Sequence, residues 1–64
     1  MIQSFKDKNG NIISFESIKD ITLEEQKDIV TNETTAYLVE YNDGIYSVDS
    51  KTYETLDSHG ALKK

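Results

Sequence analysis

SIKDITLEEQKDIVTNETT, residues 17–35, can be read as helix or as strand, and the choice decides what kind of small domain the rest of the chain builds. Thr22 followed by Glu25 has the spacing of a capping box, in which two side chains reciprocally satisfy backbone N–H groups at a helix start. On that reading Leu23 and Val30 lie on one face about two turns apart, with Glu24, Glu25 and Asp28 in solvent. The spacing therefore predicts a short helix over 22–30. Against it, Gln26 and Lys27 interrupt the apolar stripe. Ile18, Ile21 and Leu23 also suit a strand rich in β-branched residues that continues from the segment before.

The flanks are clearer. In YLVEYNDGIYSVDS, residues 37–50, aromatic and β-branched residues stand on both sides of Asp43-Gly44. A two-residue type I′ loop needs positive φ at both central positions, which Asp tolerates and Gly prefers. A loop at Asp43-Gly44 sets Tyr41 opposite Tyr46 and Val39 opposite Val48. Tyr37, Val39, Tyr41, Tyr46 and Val48 then share one face, and Leu38, Glu40 and Ser47 the other. A loop one residue earlier sets Tyr41 opposite Gly44 and Glu40 opposite Ile45, and is expected to scramble the faces. Because pattern selects register where one face is buried, the Asp43-Gly44 loop is expected.

Upstream, Lys8-Asn9-Gly10 fits a three-residue loop, a type I turn closed by Gly10 in the left-handed conformation. It sets Phe5 opposite Ile13 and Gln3 opposite Phe15, so that Phe5, Ile13 and Phe15 share a face. At the other end, Asp49 can cap a helix over 50–59, with Val48 and Tyr53 placed as a hydrophobic staple. Tyr53 and Leu56 lie three apart, His59 falls in the last turn and Gly60 is a natural terminator. Ala61 and Leu62 add a last contact before a solvated tail. The expected fold is a single small α+β domain over 1–64. It has a four-stranded, mainly antiparallel sheet made of two hairpins, with one or two short helices on one face and exposed edges open to β-augmentation or dimer pairing.

The order of these elements resembles that of the small FlbD-like flagellar proteins. The carriers are NGNIISFESIKDI (9–21) and YLVEYNDGIYSVDSKTYETL (37–56), about half the chain, and this sequence departs from the pattern by an acidic middle segment. The resemblance implies an arrangement of turns and strands and assigns no functional residue.

Composition narrows the chemistry. With 64 residues, 36% of them hydrophobic, and no cysteine, the chain can bury one thin core unsupported by disulfides or thiolate-held metal. That favours self-association or a partner. Twelve acids face seven lysines without any arginine, for a net charge of −5. Nucleic-acid binding normally needs a basic stripe and arginine forks, so direct nucleic-acid binding is not expected. An acidic surface could instead engage a basic protein groove. Nothing resembles a membrane span or a signal peptide, and a cytoplasmic location is the expectation. Usage rich in Lys, Asn, Ile, Thr and Glu points to an AT-rich genome, that of a low-GC bacterium or its phage.

Catalytic and metal-binding readings fare poorly. His59 is the one histidine and lacks a second ligand or nucleophile nearby in sequence. Asp7, Asn9 and Asn11 open like a calcium loop, but the sixth and twelfth positions are Ile12 and Ile18 where Gly and Glu are required. Glu24, Glu25 and Asp28 read as a solvated face, with no pocket to raise a carboxyl pKa. No phosphate-cradling glycine loop is present. The four tyrosines suit an interface, although strand propensity alone accounts for Tyr37, Tyr41 and Tyr46.

The expectation is a non-enzymatic, acidic protein-binding module without a cofactor, an adaptor or inhibitor of phage or mobile-element type. Its contact residues would be Tyr37, Glu40, Tyr41, Asp43 and Tyr46, and its partner a protein with a basic surface. The alternatives are a self-associating structural or regulatory subunit, such as a homodimer paired through an edge strand, and an acidic mimic occupying a partner's nucleic-acid groove.

Overall fold

The computed structural model describes residues 4–64. Strands β1 (Ser4–Lys6) and β2 (Ile12–Ser14) pair as an antiparallel hairpin. Strands β3 (Thr22–Lys27), β4 (Thr34–Tyr41), β5 (Gly44–Val48) and β6 (Leu62–Lys63) form a second sheet in the order β5-β4-β3-β6. Helix α1 (Ser50–Ser58) links β5 to β6, and a 3-10 turn at Ile18–Asp20 leads into β3. Strands thus dominate a small mixed domain with one α-helix among the described residues.

The first hairpin closes as its loop chemistry predicts. Phe5 lies opposite Ile13, and Gly10 takes the left-handed position at φ 88°. Asp7, only 8% exposed, holds the loop from inside. Its carboxylate accepts the Asn9 and Asn11 backbone N–H groups at 2.9 Å each and the Asn11 amide at 3.1 Å. The residues that open like a calcium loop therefore satisfy one another. The expected pairing of Gln3 with Phe15 lies outside the described residues.

The middle segment is strand, not the helix expected over 22–30. Ile21 and Leu23 are fully buried, while Thr22 and Glu24 on the opposite face are half-buried. Leu23 lies opposite Val39 and Glu25 opposite Tyr37. A helix would have placed Val30 on the same face as Leu23, yet Leu23 is 0% exposed and Val30 is 88% exposed. The period-two pattern prevails because Ile21 and Leu23 turn inward together and β4 sets Val39 opposite Leu23 and Tyr37 opposite Glu25, and a strand's preference is set by such neighbours. Asp28, expected on a solvated helix face, builds the β3–β4 turn instead. Its carboxylate accepts Val30 N–H at 2.7 Å and Thr31 N–H at 3.1 Å, and Asn32 turns the chain at φ 63°.

The second hairpin has the register set aside above. Its loop is Asn42-Asp43, with φ of 51° and 65°. Tyr41 lies opposite Gly44, Glu40 opposite Ile45, Val39 opposite Tyr46 and Tyr37 opposite Val48. The faces are not scrambled. Moving a two-residue loop by one position slides the pairing by two, and a slide of two leaves every side chain on its own side. Asn and Asp both tolerate positive φ, which frees Gly44 to begin β5.

The expected single sheet of two hairpins is likewise corrected. β1 and β2 stand apart as their own sheet, and the four-stranded sheet is mixed, because β6 runs parallel to β3 with Thr22 beside Leu62 and Leu23 beside Lys63. The first hairpin joins through Lys8, whose N–H donates to the Ser47 carbonyl at 2.8 Å. That bond occupies part of the outer edge of β5, one of the edges expected to lie open.

Helix α1 starts and stops on local signals. Asp49 accepts Thr52 N–H at 2.7 Å. At the C-terminus Gly60, at φ 100°, donates to Asp57 O at 3.1 Å, and Ala61 donates to Leu56 O at 3.2 Å. This paired closure is the Schellman motif, and its usual apolar contact is supplied by Ala61 and Leu56, both buried. The core comprises Phe5, Phe15, Ile21, Leu23, Val39, Val48, Tyr53, Leu56 and Ala61. The first hairpin and α1 therefore cover the same side of the β5-β4-β3-β6 sheet.

Candidate interaction surface

The expected contact residues do not converge. Tyr37, Tyr41 and Tyr46 are half-buried against the core. The Tyr37 ring centroid lies 4.9 Å from that of Tyr53. The Tyr41 and Tyr46 rings stand edge-on to Phe15 and Phe5 at 6.4 and 5.8 Å. These distances lie within the range of attractive aromatic pairs, so the three tyrosines join both ends of the chain to the sheet. Tyr41 also lines a shallow depression of about 410 Å³ with Ser14, Phe15 and Glu16. Asp43 is exposed in the hairpin loop. Glu40 projects from the opposite side of β4 to the tyrosines.

That opposite side carries no helix or hairpin among the described residues. Strand alternation places Leu38 and Glu40 of β4, Ile45 and Ser47 of β5, Thr22 and Glu24 of β3, and Leu62 of β6 on it. Ile45 and Leu62 are 66% and 55% exposed, and Leu38 between them is half-buried. Lys64 reaches over this face to pair with Glu40 and with Glu24, the latter at 3.5 Å. The hydrogen bond to Glu40 is the main cause that raises the Lys64 pKa above 10.5. The result is an apolar band crossed by an ion-paired strip. Leu38 and Ile45 were assignable to one face from strand parity, whereas Leu62, expected only as a last contact before a solvated tail, gave no such signal.

The remaining titratable groups do structural work. His59 caps α1, its Nδ1 donating to the Thr55 carbonyl at 2.7 Å. Lys63 pairs with Asp57 at 3.1 Å across the end of the helix, and that hydrogen bond raises its pKa. Burial, followed by the charge of Glu25, raises the Tyr53 pKa. Among the described residues no group of three or more His, Cys, Asp or Glu side chains is placed to hold a metal ion. No helix among the described residues is long and apolar enough to cross a membrane.

Compared with protein families, curated proteins and solved structures, the chain matches none.

Proposed function

We propose that this chain is a non-enzymatic, acidic protein-binding module, an adaptor or inhibitor, that meets a basic partner through the uncovered side of the β5-β4-β3-β6 sheet. The observation that carries the reading is the exposed pair Ile45 and Leu62, with half-buried Leu38, set beside Glu24 and Glu40 on the side of the sheet opposite the core. Exposed apolar side chains flanking a charged strip offer a partner both area to bury and a charge to match. Glu40 belongs to this surface and Asp43 to its rim. Tyr37, Tyr41 and Tyr46 support it from behind, packed against the core on the other side of the sheet. The net charge of −5 selects a positively charged partner and speeds encounter with it.

Affinity capture from a low-GC bacterial lysate, with and without nuclease, tests this, with bound proteins identified by mass spectrometry. A stoichiometric protein that survives nuclease, is retained by Tyr41→Phe, and is lost on Ile45→Asp with Leu62→Asp is the expected result. Both replaced side chains are more than half exposed, so circular dichroism should show an intact fold. Recovery of the bait alone, or binding indifferent to both aspartates, overturns the assignment.

A further inference from the structure

Strand β3 is an edge strand for part of its length. The carbonyls of Ile21 and Leu23 accept N–H groups from Leu62 at 3.0 Å and Lys64 at 2.9 Å. Odd-numbered residues of β3 therefore turn their main-chain groups away from β4. The even-numbered ones face β4, as shown by Gln26 O accepting from the Thr35 hydroxyl at 3.0 Å and Asp28 N–H donating to Glu33 O at 2.9 Å. The register shift between Gln26 and Lys27 is absorbed on β4, where Thr35 is skipped, so the alternation along β3 continues. It leaves the N–H and C=O of Glu25 and Lys27 pointing outward, past the residues that β6 covers. An open notch of about 260 Å³, lined by Glu25, Lys27, Tyr53, Lys63 and Lys64, lies beside this edge.

We propose that a second copy of this chain pairs antiparallel with this edge, about a two-fold axis through Gln26. In that register Glu25 lies opposite Lys27 of the second copy and Lys27 opposite its Glu25. Each such pair exchanges N–H···O=C bonds in both directions and sets opposite charges across from each other. The neighbouring registers fail. An axis through Glu25 or through Lys27 opposes like charges directly, which destabilises a strand pair. The Gln26 register is thus self-complementary, as a closed two-fold contact requires. Within one chain the Lys27 ammonium already lies 3.7 Å from the Glu25 carboxylate, and both side chains remain partly exposed and free to change partner. This contact uses a different surface from the sheet face assigned to a basic partner, so either can fail without the other.

Sedimentation equilibrium from micromolar to millimolar protein, at an ionic strength of about 0.15 M, reads the association. The wild-type chain is expected to rise from 7.3 kDa towards twice that mass. Glu25→Lys and Lys27→Glu should each weaken association on the order of tenfold by opposing like charges, and the double variant Glu25→Lys/Lys27→Glu should restore it. Lys27→Pro removes an outward N–H while sparing the bonds to β4; it should stay at the single-chain mass with an unchanged circular dichroism spectrum. A wild-type chain that remains at 7.3 kDa throughout overturns the proposal. So does a dimer equally strong in Lys27→Pro and in both single charge variants.

Discussion

The Tyr46 ring lies over Gly44: a Cβ on Gly44 would stand 2.9 Å from the Tyr46 hydroxyl oxygen and 3.1 Å from Cζ. Gly44 is therefore required by a ring and not by a turn, since the positive φ values belong to Asn42 and Asp43. Gly44→Ala is expected to push Tyr46 off Phe5 and cost about 1 kcal/mol, the worth of one aromatic pair. Urea denaturation should show most of that cost disappear in a Tyr46→Ala background, which identifies the ring as its source.

Leu23 and Ile29 are both aliphatic residues of the middle segment with opposite fates, 0% and 100% exposed. Leu23→Ala should destabilise by about 2–5 kcal/mol, combining lost burial with a cavity against Val39. Ile29→Ser at the loop tip should change stability by less than about 0.5 kcal/mol. Equilibrium unfolding of these variants and of Val30→Ser checks the strand reading directly, because Val30 is 88% exposed and should be as indifferent as Ile29, whereas a helix over 22–30 would bury it on the face of Leu23.

Acid should unfold the chain through its turn-making aspartates. Burial acts to raise the Asp7 pKa, but the bonds from Asn11, Asn9 and Gly10 outweigh it and leave the value lowered from 3.8. Backbone bonds from Thr31 and Val30 lower Asp28, and the side-chain and backbone bonds from Thr52 lower Asp49. A lowered folded-state pKa means that the unfolded chain takes up protons first. The stabilisation is complete above 3.8 and is lost as pH falls through the folded values. Thermal melts in steps below pH 5 should show a falling Tm, with a shallower fall for Asp7→Asn.

Gly60 at φ 100° closes α1 and aims Ala61 into the core. Gly60→Ala should cost roughly 1–2 kcal/mol, the penalty for a left-handed L-residue. The Leu62 amide, bonded to Ile21 O at 3.0 Å, should lose protection from hydrogen exchange in the same variant, because β6 is delivered by that turn.

Much of the local architecture was legible because its causes are local. Asp49 and Gly60 bound α1 through bonds within a few residues, and Lys8-Asn9-Gly10 selects the Phe5–Ile13 register through its own turn geometry. The β4–β5 register was not legible from facial pattern, since both loop placements bury the same tyrosines and valines. In the folded chain Asn42 and Asp43 take the positive φ values, and Gly44 enters β5 beneath the Tyr46 ring, which packs on Phe5 from the other end of the chain. Of the expected contact residues, parity alone separates Glu40 from Tyr37, Tyr41 and Tyr46. The exposed band became visible only once Leu62 was placed beside Thr22.

By itself, then, the sequence determined the turn of the first hairpin, the helix and its caps, the absence of a cysteine framework and the acidic charge, all properties of composition or of contacts within one turn. Only the tertiary structure decided that Ile21 and Leu23 lie in a strand, that β6 joins it in parallel, and which side of the sheet stays bare. The reason is physical. A strand's hydrogen bonds and half its packing come from another segment, so Thr22–Lys27 has no preference of its own strong enough to choose helix or strand until β4 and β6 are beside it.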